Sequence, residues 1–359
     1  TGPKLAGLSQ VSCPRLVRPQ MSVATITARS QRLKRLVDEP PEDSARRKQA
    51  RRPPQAAGTE AAWPAAGAPS PERPPSRVGP YVLLEPWEGQ ELYRAEHYQT
   101  EKQFTCQVLS LRSYQECLAA SDRIGPHEGV CSVLDTVISQ DRAYAFLSAH
   151  YGDLHTHVRR RRQLSEDETR GLFTQVLRAV SHCHQHGVIL RDVKLRRFVF
   201  TDELRTKVAL VGLNDCFLVP GNHDDDSLTD RHGCPAYVSP ELLSSGRGSY
   251  SGRAADVWSL GVCLYTMLLG RYPFQDTEPA ALFAKIRQGA FSLPAWLSPG
   301  ARCLISCMLR RSPAERLKAS ELLVHPWLSS PSAPHPSVHK TQRSSRPSLR
   351  SRQEDQVVP

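Results

Sequence analysis

The sequence predicts an α+β chain in which a small β-rich lobe precedes a larger helical lobe, with disordered tails at both ends. Short runs of β-branched and aromatic residues fill the region from about 80 to 150. Longer runs with an apolar residue every three or four positions fill about 151 to 328. Residues 1–79 and 329–359 have neither pattern. We therefore expect a two-lobed domain over 80–328.

Charge and proline content separate the tails from this domain. The net charge is +11, and residues 1–80 hold 14 Lys/Arg against 6 Asp/Glu, while residues 329–359 hold 5 against 2. These two segments also contain 13 and 5 of the 29 prolines. Segments of this composition bury too little apolar area to offset the entropy lost on ordering, so both are predicted to be disordered.

The first tail contains two basic clusters, QRLKRL (31–36) and ARRKQARRP (45–53), separated by the acidic DEPPED (38–43). The pairing of two clusters around a short spacer favours nuclear import, and the alternative is a solvated basic tail. We expect a nuclear and cytoplasmic protein. A nucleic-acid-binding function would need aromatic residues among the charges or a recognised motif, and neither is present, so direct nucleic-acid binding is not expected.

The cysteine pattern and the lengths of the apolar runs indicate the cellular compartment. Ten cysteines are scattered through the chain without a framework pattern, which fits reduced thiols in the cytosol or nucleus. No apolar run approaches the roughly 18 residues that a membrane span needs, so no membrane association is expected.

The spacing of apolar residues, and the turn residues between the apolar runs, predict the strands and helices of the domain. Strands are predicted over 81–85, 92–98, 104–111, 130–139 and 142–149. Helices are predicted over 165–187, 255–270, 278–289, 299–309 and 318–328. The first helix has Ser165 and Glu168 in a capping-box arrangement and ends at Gly187.

Five motifs in order resemble those of the protein kinase domain. They are LRDVK (190–194), GCPAYVSPE (233–241), DVWSLGV (256–262), PAERL (313–317) and HPW (325–327). One match would be weak, whereas five in sequence are a strong signal. The resemblance implies a bilobal kinase-like fold over about 80–328, with the N-lobe over about 80–150. It also implies a buried ion pair between Glu241 and Arg316, and a role for Asp256 in bracing the catalytic loop.

The positions that carry phosphoryl-transfer chemistry depart from the kinase pattern. Kinases need a lysine on the phosphates, carboxylate and asparagine ligands for Mg²⁺, and a base for the hydroxyl. The lysine position aligns with Gln107, the metal-binding aspartate with Gly212, and the metal-binding asparagine with Arg197. Asp192 and Lys194 of the catalytic loop remain as relics. A slipped register would offer Asp215 as the metal ligand, but it does not restore the glycine of the D-F-G motif.

The glycine-rich loop that covers the phosphates is also altered. Its three glycine positions in LLEPWEGQEL (83–92) hold Glu85, Trp87 and Gln90. A carboxylate and an indole would repel and obstruct a polyanion there. This segment is therefore predicted to be an ordinary β-hairpin turn.

Together with DDSLTDRHGCPAYVSPELL (225–243) and YSGRAADVWSLGV (250–262), these changes are similar to the Tribbles family of pseudokinases. The chain departs from that family at Gln107, where relatives usually keep lysine. The resemblance implies that the protein is not an enzyme and has no cofactor and no catalytic metal site. The alternative is a divergent kinase with residual ATP binding or phosphotransfer.

The resemblance also implies partners. The tail sequence EDQVVP is similar to the Tribbles peptide that binds the WD40 domain of a RING E3 ubiquitin ligase. Its residues are Glu354, Asp355, Gln356, Val357, Val358 and Pro359. Val358 and Pro359 offer a compact apolar anchor, while the two acids suit a basic rim. We expect an adaptor that holds client proteins and recruits this ligase, so that it modulates kinase signalling and stress-responsive transcription.

The family further implies docking of MAP kinase kinases and AKT-type kinases, and of bZIP transcription factors along the pseudo-catalytic cleft and the segment around 212–235. The docking residues for kinases would be His325, Pro326, Trp327 and Leu328. The favoured alternative is that Trp327 and Leu323 simply pack the last helix onto the C-lobe.

Two further clusters resemble metal sites in composition. HCHQH (182–186) ends the long helix before the catalytic loop, and DDD (224–226) lies in a polar loop. A structural role is predicted for the first and a solvated loop for the second.

Overall fold

The computed structural model describes residues 76–87, 92–221, 225–244 and 248–329. These residues form a curled β-sheet lobe followed by a helical lobe, which confirms the predicted fold class. The two basic clusters, Gln90 and the tail motif at 354–359 lie outside the described residues. Among the described helices, none is both long and apolar enough to cross a lipid bilayer.

The N-lobe is a six-stranded antiparallel sheet with the strand order β1-β2-β3-β4-β6-β5. Its strands are β1 Ser76–Val78, β2 Tyr81–Pro86, β3 Leu92–His97, β4 Gln103–Ser110, β5 Asp135–Ile138 and β6 Arg142–Ser148. Tyr81 stacks on Phe146 at a ring separation of 3.6 Å, and both pack against the buried Ala95 and Cys106. Alternate residues of these strands therefore build the lobe's own small core.

A helix that the sequence did not predict follows β4 without a loop. This helix, α1, spans Leu111–Ile124, and the Ser110 side chain accepts a hydrogen bond from the amide of Ser113 at its start. It buries Cys117, Ala120 and Ile124, which lie at helical spacing. The strand predicted over 104–111 consequently ends at Ser110.

The strand predicted over 130–139 is also shorter than expected. Only Asp135–Ile138 pairs with β6, while Val130 forms an isolated parallel bridge with Leu210. The chain between them joins the two lobes instead of extending the sheet.

Long helices dominate the C-lobe and enclose a single large core. They are α2 Leu154–Arg161, α3 Glu166–Gln185, α4 Gly252–Leu269, α5 Pro279–Gln288 and α6 Pro299–Met308. Short strand pairs connect them: β7 Val188–Ile189 with β10 Phe217–Leu218, β8 Phe198–Phe200 with β9 Val208–Leu210, and β11 Ser227–Leu228 with β12 Tyr250–Ser251. Phe173 of α3 and Trp258 of α4 are fully buried at the centre.

The helix predicted over 318–328 is two four-residue helices, α7 Ala319–Leu322 and α8 Pro326–Ser329. Pro326 explains the interruption, because proline has no amide hydrogen and disfavours the helical conformation in the preceding residue.

The ion pair expected between Glu241 and Arg316 is present in the C-lobe. Arg316 donates to both carboxylate oxygens of Glu241, at 2.6 and 2.7 Å, and to the carbonyl of Ala254 at 2.9 Å. Its guanidinium lies 5.1 Å from the ring of Trp258. Two planar hydrogen bonds fix the angle between the partners, so the segment around Glu241 is held against α4.

Glu166, at the first turn of α3, joins three elements at the base of the C-lobe. It accepts hydrogen bonds from the amide and hydroxyl of Ser298, at 2.7 and 2.6 Å, and from Trp327 Nε1 at 2.9 Å. Burial alone would raise the pKa of Glu166, but the bonds from Ser298 and Trp327 together lower it below its ordinary value. The ionised carboxylate therefore holds α6 and α8 against α3.

We expect Glu166→Gln to lower the free energy of unfolding by about 1–2 kcal/mol at neutral pH, because an ionised acceptor is replaced by a neutral one. Because the pKa of Glu166 is lower in the folded state than in the unfolded state, its carboxylate stabilises the fold fully above the unfolded-state pKa of about 4.3. This stabilisation is lost as the pH falls through the folded-state pKa. The difference between variant and wild type should therefore shrink on acidification. Urea unfolding followed at several pH values would measure it.

Asp167→Asn is the matched control, since Asp167 lies beside Glu166 but pairs with Arg170 instead, at 2.6 Å. A loss for Glu166→Gln that is no larger than the loss for Asp167→Asn would contradict the role assigned to Glu166.

Candidate functional site: the degenerate nucleotide cleft

A cleft of about 670 Å³ lies between the lobes where a kinase would bind nucleotide. Gln107 reaches it from β4, the catalytic-loop residues from the C-lobe, and Asn214 from the segment after β9. The sequence-predicted positions are thus brought together in one place, and their contacts define what the cleft can bind.

The catalytic loop retains its shape through Asp256. This carboxylate on α4 accepts hydrogen bonds from the amides of Leu190 and Arg191, both at 2.8 Å, and contacts His184 Nε2 at 2.9 Å. Arg191 has a positive φ of 62°. A non-glycine residue in that conformation needs support from its surroundings, and Asp256 supplies it.

Asp192, which stands where a kinase has its catalytic base, is neutralised by neighbouring cations. Lys194 Nζ donates to its carboxylate at 2.6 Å, and Arg197 Nη1 lies 3.8 Å from the same oxygen. The Asp192 side chain is only 14% exposed. It lines the cleft, and its pairing with Lys194 orders the turn.

Arg197 fills the position of the metal-binding asparagine with a buried cation. Its side chain is 9% exposed, and its guanidinium donates to the carbonyl of Gly212 as well as approaching Asp192. A fixed positive charge here opposes a divalent cation that would need the same space and the same carboxylate.

Gln107 and Asn214 form a neutral bridge between the lobes. Gln107 Nε2 donates to Asn214 Oδ1 at 3.1 Å. A glutamine at this place supplies no charge for phosphate, and its amide is already committed to Asn214. Nothing in the sequence indicated this pairing, because the two residues are 107 positions apart.

Gly212 lies against this bridge in a conformation that favours glycine. Its φ is +69°, and a Cβ built there would lie 2.6 Å from Gln107 Nε2 and 2.8 Å from Asn214 Oδ1. A side chain at this position therefore requires the Gln107 and Asn214 amides to move, so the bridge and a metal-binding carboxylate compete for the same space.

Asp215, the ligand of the slipped register, does not replace it. Its φ is 67°, and it accepts a hydrogen bond from Asn214 Nδ2 at 3.2 Å. His232 Nε2 lies 3.9 Å from the carboxylate. Asp215 lines the cleft but faces this local network.

Helix α1 lacks the ion pair that couples the lobes in active kinases, where the phosphate lysine pairs with a glutamate of the equivalent helix. Glu116 of α1 instead pairs with Arg112 of the same helix at 3.0 Å. Cys117 hydrogen-bonds to the backbone of Leu213, and burial raises the pKa of this thiol to about 11. Helix α1 therefore contacts the degenerate metal loop through a neutral thiol.

The altered glycine loop places an indole against apolar residues of both lobes, outside the lining of the 670 Å³ cleft. Trp87 packs against the buried cluster of Leu92, Leu147, Val199 and Val211, which includes residues of both lobes. Glu85 pairs with Arg94 at 3.1 Å. The β2–β3 pairing agrees with the hairpin prediction for this segment, and an aromatic ring covers apolar surface that a nucleotide base would need.

The described residues of the two metal-like clusters have structural roles, while Asp224 of DDD lies outside the described residues. His184 of HCHQH contacts Asp256, and His182 contacts the carbonyl of Ile124 at 2.9 Å. The prediction of a solvated loop for DDD is wrong for Asp226, whose carboxylate accepts from Ser251 Oγ at 2.6 Å and from the amide of Arg253 at 2.9 Å. Asp226 thus stabilises the start of α4.

The predicted kinase-docking residues are divided between core and surface. Trp327 is 3% exposed, and Arg170 donates to its carbonyl at 2.8 Å and lies over its ring at 5.1 Å. This geometry agrees with the packing alternative for Trp327. Pro326 is exposed, whereas His325 and Leu328 are half-buried.

Comparison with known proteins agrees with this geometry. The protein kinase domain family matches residues 92–328. Tribbles homolog 2 of Canis lupus familiaris is 50% identical over 269 residues, which cover 73% of this chain and 78% of that relative. This chain belongs to the Tribbles family. Tribbles homolog 3 is 53% identical over 253 residues in Homo sapiens, covering 70% of each chain, and 52% over 285 residues in Bos taurus, covering 79% and 76%. The family resemblance seen in the motifs is confirmed.

Gly212→Ala tests whether the metal-ligand position of this Tribbles chain is closed. We expect it to lower the free energy of unfolding by about 1–2 kcal/mol from the unfavourable φ, with a further loss because the added Cβ displaces the Gln107 and Asn214 amides from their hydrogen bond. Chemical denaturation of the variant and wild type would measure the difference.

Gly125→Ala provides the control, since Gly125 has a similar φ of +65° but no atom within 4 Å of a Cβ. The double variant Gly212→Ala/Gln107→Ala should recover the steric part of the loss. Equal losses for Gly212→Ala and Gly125→Ala would show that the cleft has room for a side chain.

Proposed function

We propose that this Tribbles chain is a catalytically inactive adaptor that holds client proteins on its kinase-like domain and recruits a RING E3 ubiquitin ligase through its C-terminal tail. The observation that carries the loss of catalysis is the Gln107–Asn214 bridge closed against Gly212. It replaces the phosphate cation with a neutral amide, and a metal-binding carboxylate at position 212 would have to displace both amides of the bridge.

Electrostatics support the same conclusion. Phosphoryl transfer needs cations placed on the phosphates and anions placed on Mg²⁺. Here Asp192 is paired with Lys194, and Arg197 stands at the metal side of the cleft. The charges are arranged to satisfy one another, so the site has little differential affinity for a metal–nucleotide complex or its transition state.

A function by binding follows from the family and the tail motif. A client held on the domain and a ligase held on the tail share one chain, so ubiquitin transfer is favoured by effective concentration without local chemistry. The proposed clients are bZIP transcription factors, bound along the cleft and the 212–235 segment, and MAP kinase kinases and AKT-type kinases. The proposed locations are nucleus and cytoplasm.

Kinase docking at the end of the domain would use surface residues other than Trp327. Val324 is 78% exposed, and Pro326 is exposed beside it. Trp327 and Arg170 would hold that surface in place from below.

The adaptor proposal predicts that ATP, with or without Mg²⁺, leaves the thermal unfolding temperature unchanged. A ligand present at a hundred times its Kd would stabilise the fold by about 2.7 kcal/mol, which a thermal-shift measurement detects readily.

The alternative, a divergent kinase, is favoured only by the persistence of the 670 Å³ cleft. It predicts a magnesium-dependent rise in Tm, and phosphate transfer that is lost in Asp192→Asn; that pair of results would overturn the inactive assignment.

The tail proposal predicts that Val358→Ala/Pro359→Ala abolishes capture of the ligase WD40 domain by the full chain, because the apolar anchor is removed. Pro336→Ala/Val338→Ala is the matched control, since it removes the same residue types from the same tail. Immobilised WD40 domain and purified chain give the readout directly. Retained binding in the Val358/Pro359 variant, or equal loss in the control, would sink this mechanism.

A further inference from the structure

Two cysteines and a histidine meet on the surface of the C-lobe, remote from the cleft in sequence. Cys303 and Cys307 lie one turn apart on α6, so both side chains emerge from the same face of the helix. His325 approaches them from the segment that precedes α8. One ligand atom from each of the three residues lies within 4.8 Å of the others.

We propose that Cys303, Cys307 and His325 form a zinc-binding site, with the fourth coordination position open to water or to an incoming ligand. Thiolate and imidazole are the ligands that Zn²⁺ prefers, and it binds them tetrahedrally with Zn–S near 2.3 Å and Zn–N near 2.0–2.1 Å. Ligand atoms already within 4.8 Å of one another need only small side-chain rotations to reach such a geometry.

The surroundings leave these atoms accessible. Cys303 is exposed, while Cys307 and His325 are half-buried, so a metal ion can enter from solvent without opening the core. Cys307 hydrogen-bonds to Cys303. On binding, each thiol releases its proton to water and the sulfur lone pair goes to the metal.

The ring of His325 has a competing contact that zinc must replace. Trp327 donates its amide hydrogen to His325 Nδ1 at 3.2 Å. Coordination through Nδ1 takes this lone pair directly, and coordination through Nε2 moves the ring proton to Nδ1, so either route ends the hydrogen bond. The lost bond is long and a single one, whereas zinc coordination by three protein ligands is far stronger.

Zinc at this position would tie α6 to the residues just before α8, where the described domain ends. The other ties of that end are Trp327 Nε1 to Glu166 and Arg170 to the Trp327 carbonyl. A metal link would add a constraint between α6 and this end of the domain. The site would therefore fix the point from which the C-terminal tail leaves the domain, independently of what the tail binds.

Titration of the full chain with Zn²⁺ against a chromogenic chelator, in a metal-free phosphine reductant, tests the proposal. We expect one Zn²⁺ per folded chain, with affinity lowered about 100-fold or more by Cys303→Ser or Cys307→Ser. Cys303 is exposed, so the first variant keeps its fold, which circular dichroism would verify. Hydrogen exchange of the peptide covering 319–329 should slow with zinc in the wild type and not in Cys303→Ser.

Cys234→Ser is the matched control, because Cys234 is a half-buried cysteine outside this cluster. It should bind Zn²⁺ as the wild type does. Substituting Co²⁺ should give thiolate-to-metal charge-transfer bands that weaken in Cys307→Ser and persist in Cys234→Ser. Zinc affinity that is unchanged in Cys303→Ser, or lost equally in Cys234→Ser, would overturn the site and leave Cys303 and Cys307 as a hydrogen-bonded thiol pair only.

Discussion

The buried carboxylate of Asp256 is the constraint on which the functional face of this domain depends. It is 1% exposed and accepts hydrogen bonds from the amides of Leu190 and Arg191, with His184 as a third partner. A buried charge with fewer partners would be strongly destabilising, so the three groups must stay where they are. The catalytic loop, α3 and α4 are thereby fixed to one another, and the loop keeps its backbone shape whether or not it performs chemistry.

Architecture and catalysis are separable in this protein because different residues carry them. Asp256 and the Glu241–Arg316 pair lie inside the C-lobe. Each joins separate segments of that lobe through charge-assisted hydrogen bonds. The residues that would touch nucleotide and metal lie at the cleft surface. Differences from the kinase pattern at the cleft, as at Gln107 and Arg197, leave these interior contacts undisturbed. Gln107 and Arg197 instead hydrogen-bond to Asn214 and to the carbonyl of Gly212.

The sequence predicted the fold class, most helices and the degenerate positions, because kinase motifs are local and each has a strong signature. It missed α1 and α2. Helix α1 starts directly after a strand and has only three buried positions, and α2 has only eight residues, three of them arginines in its last turn. The bond between Gln107 and Asn214 depends on how the lobes approach each other, which no local pattern encodes. The position of His325 beside Cys303 and Cys307 was also not predictable from a local pattern. His325 follows the nearer cysteine by eighteen positions, with helix α7 between them.

The crowding around Gly212 has an evolutionary consequence. An aspartate there would push aside the Gln107 and Asn214 amides, so this single change would break the bridge without supplying the phosphate cation. Replacing Gln107 by lysine first would remove the bridge without supplying a metal site, and Arg197 would still repel the ion. Several substitutions would have to arise together before any intermediate gained activity. Under the proposed inactive assignment, a return to phosphotransfer by single mutational steps is not expected, which leaves the cleft free to diverge as a binding surface.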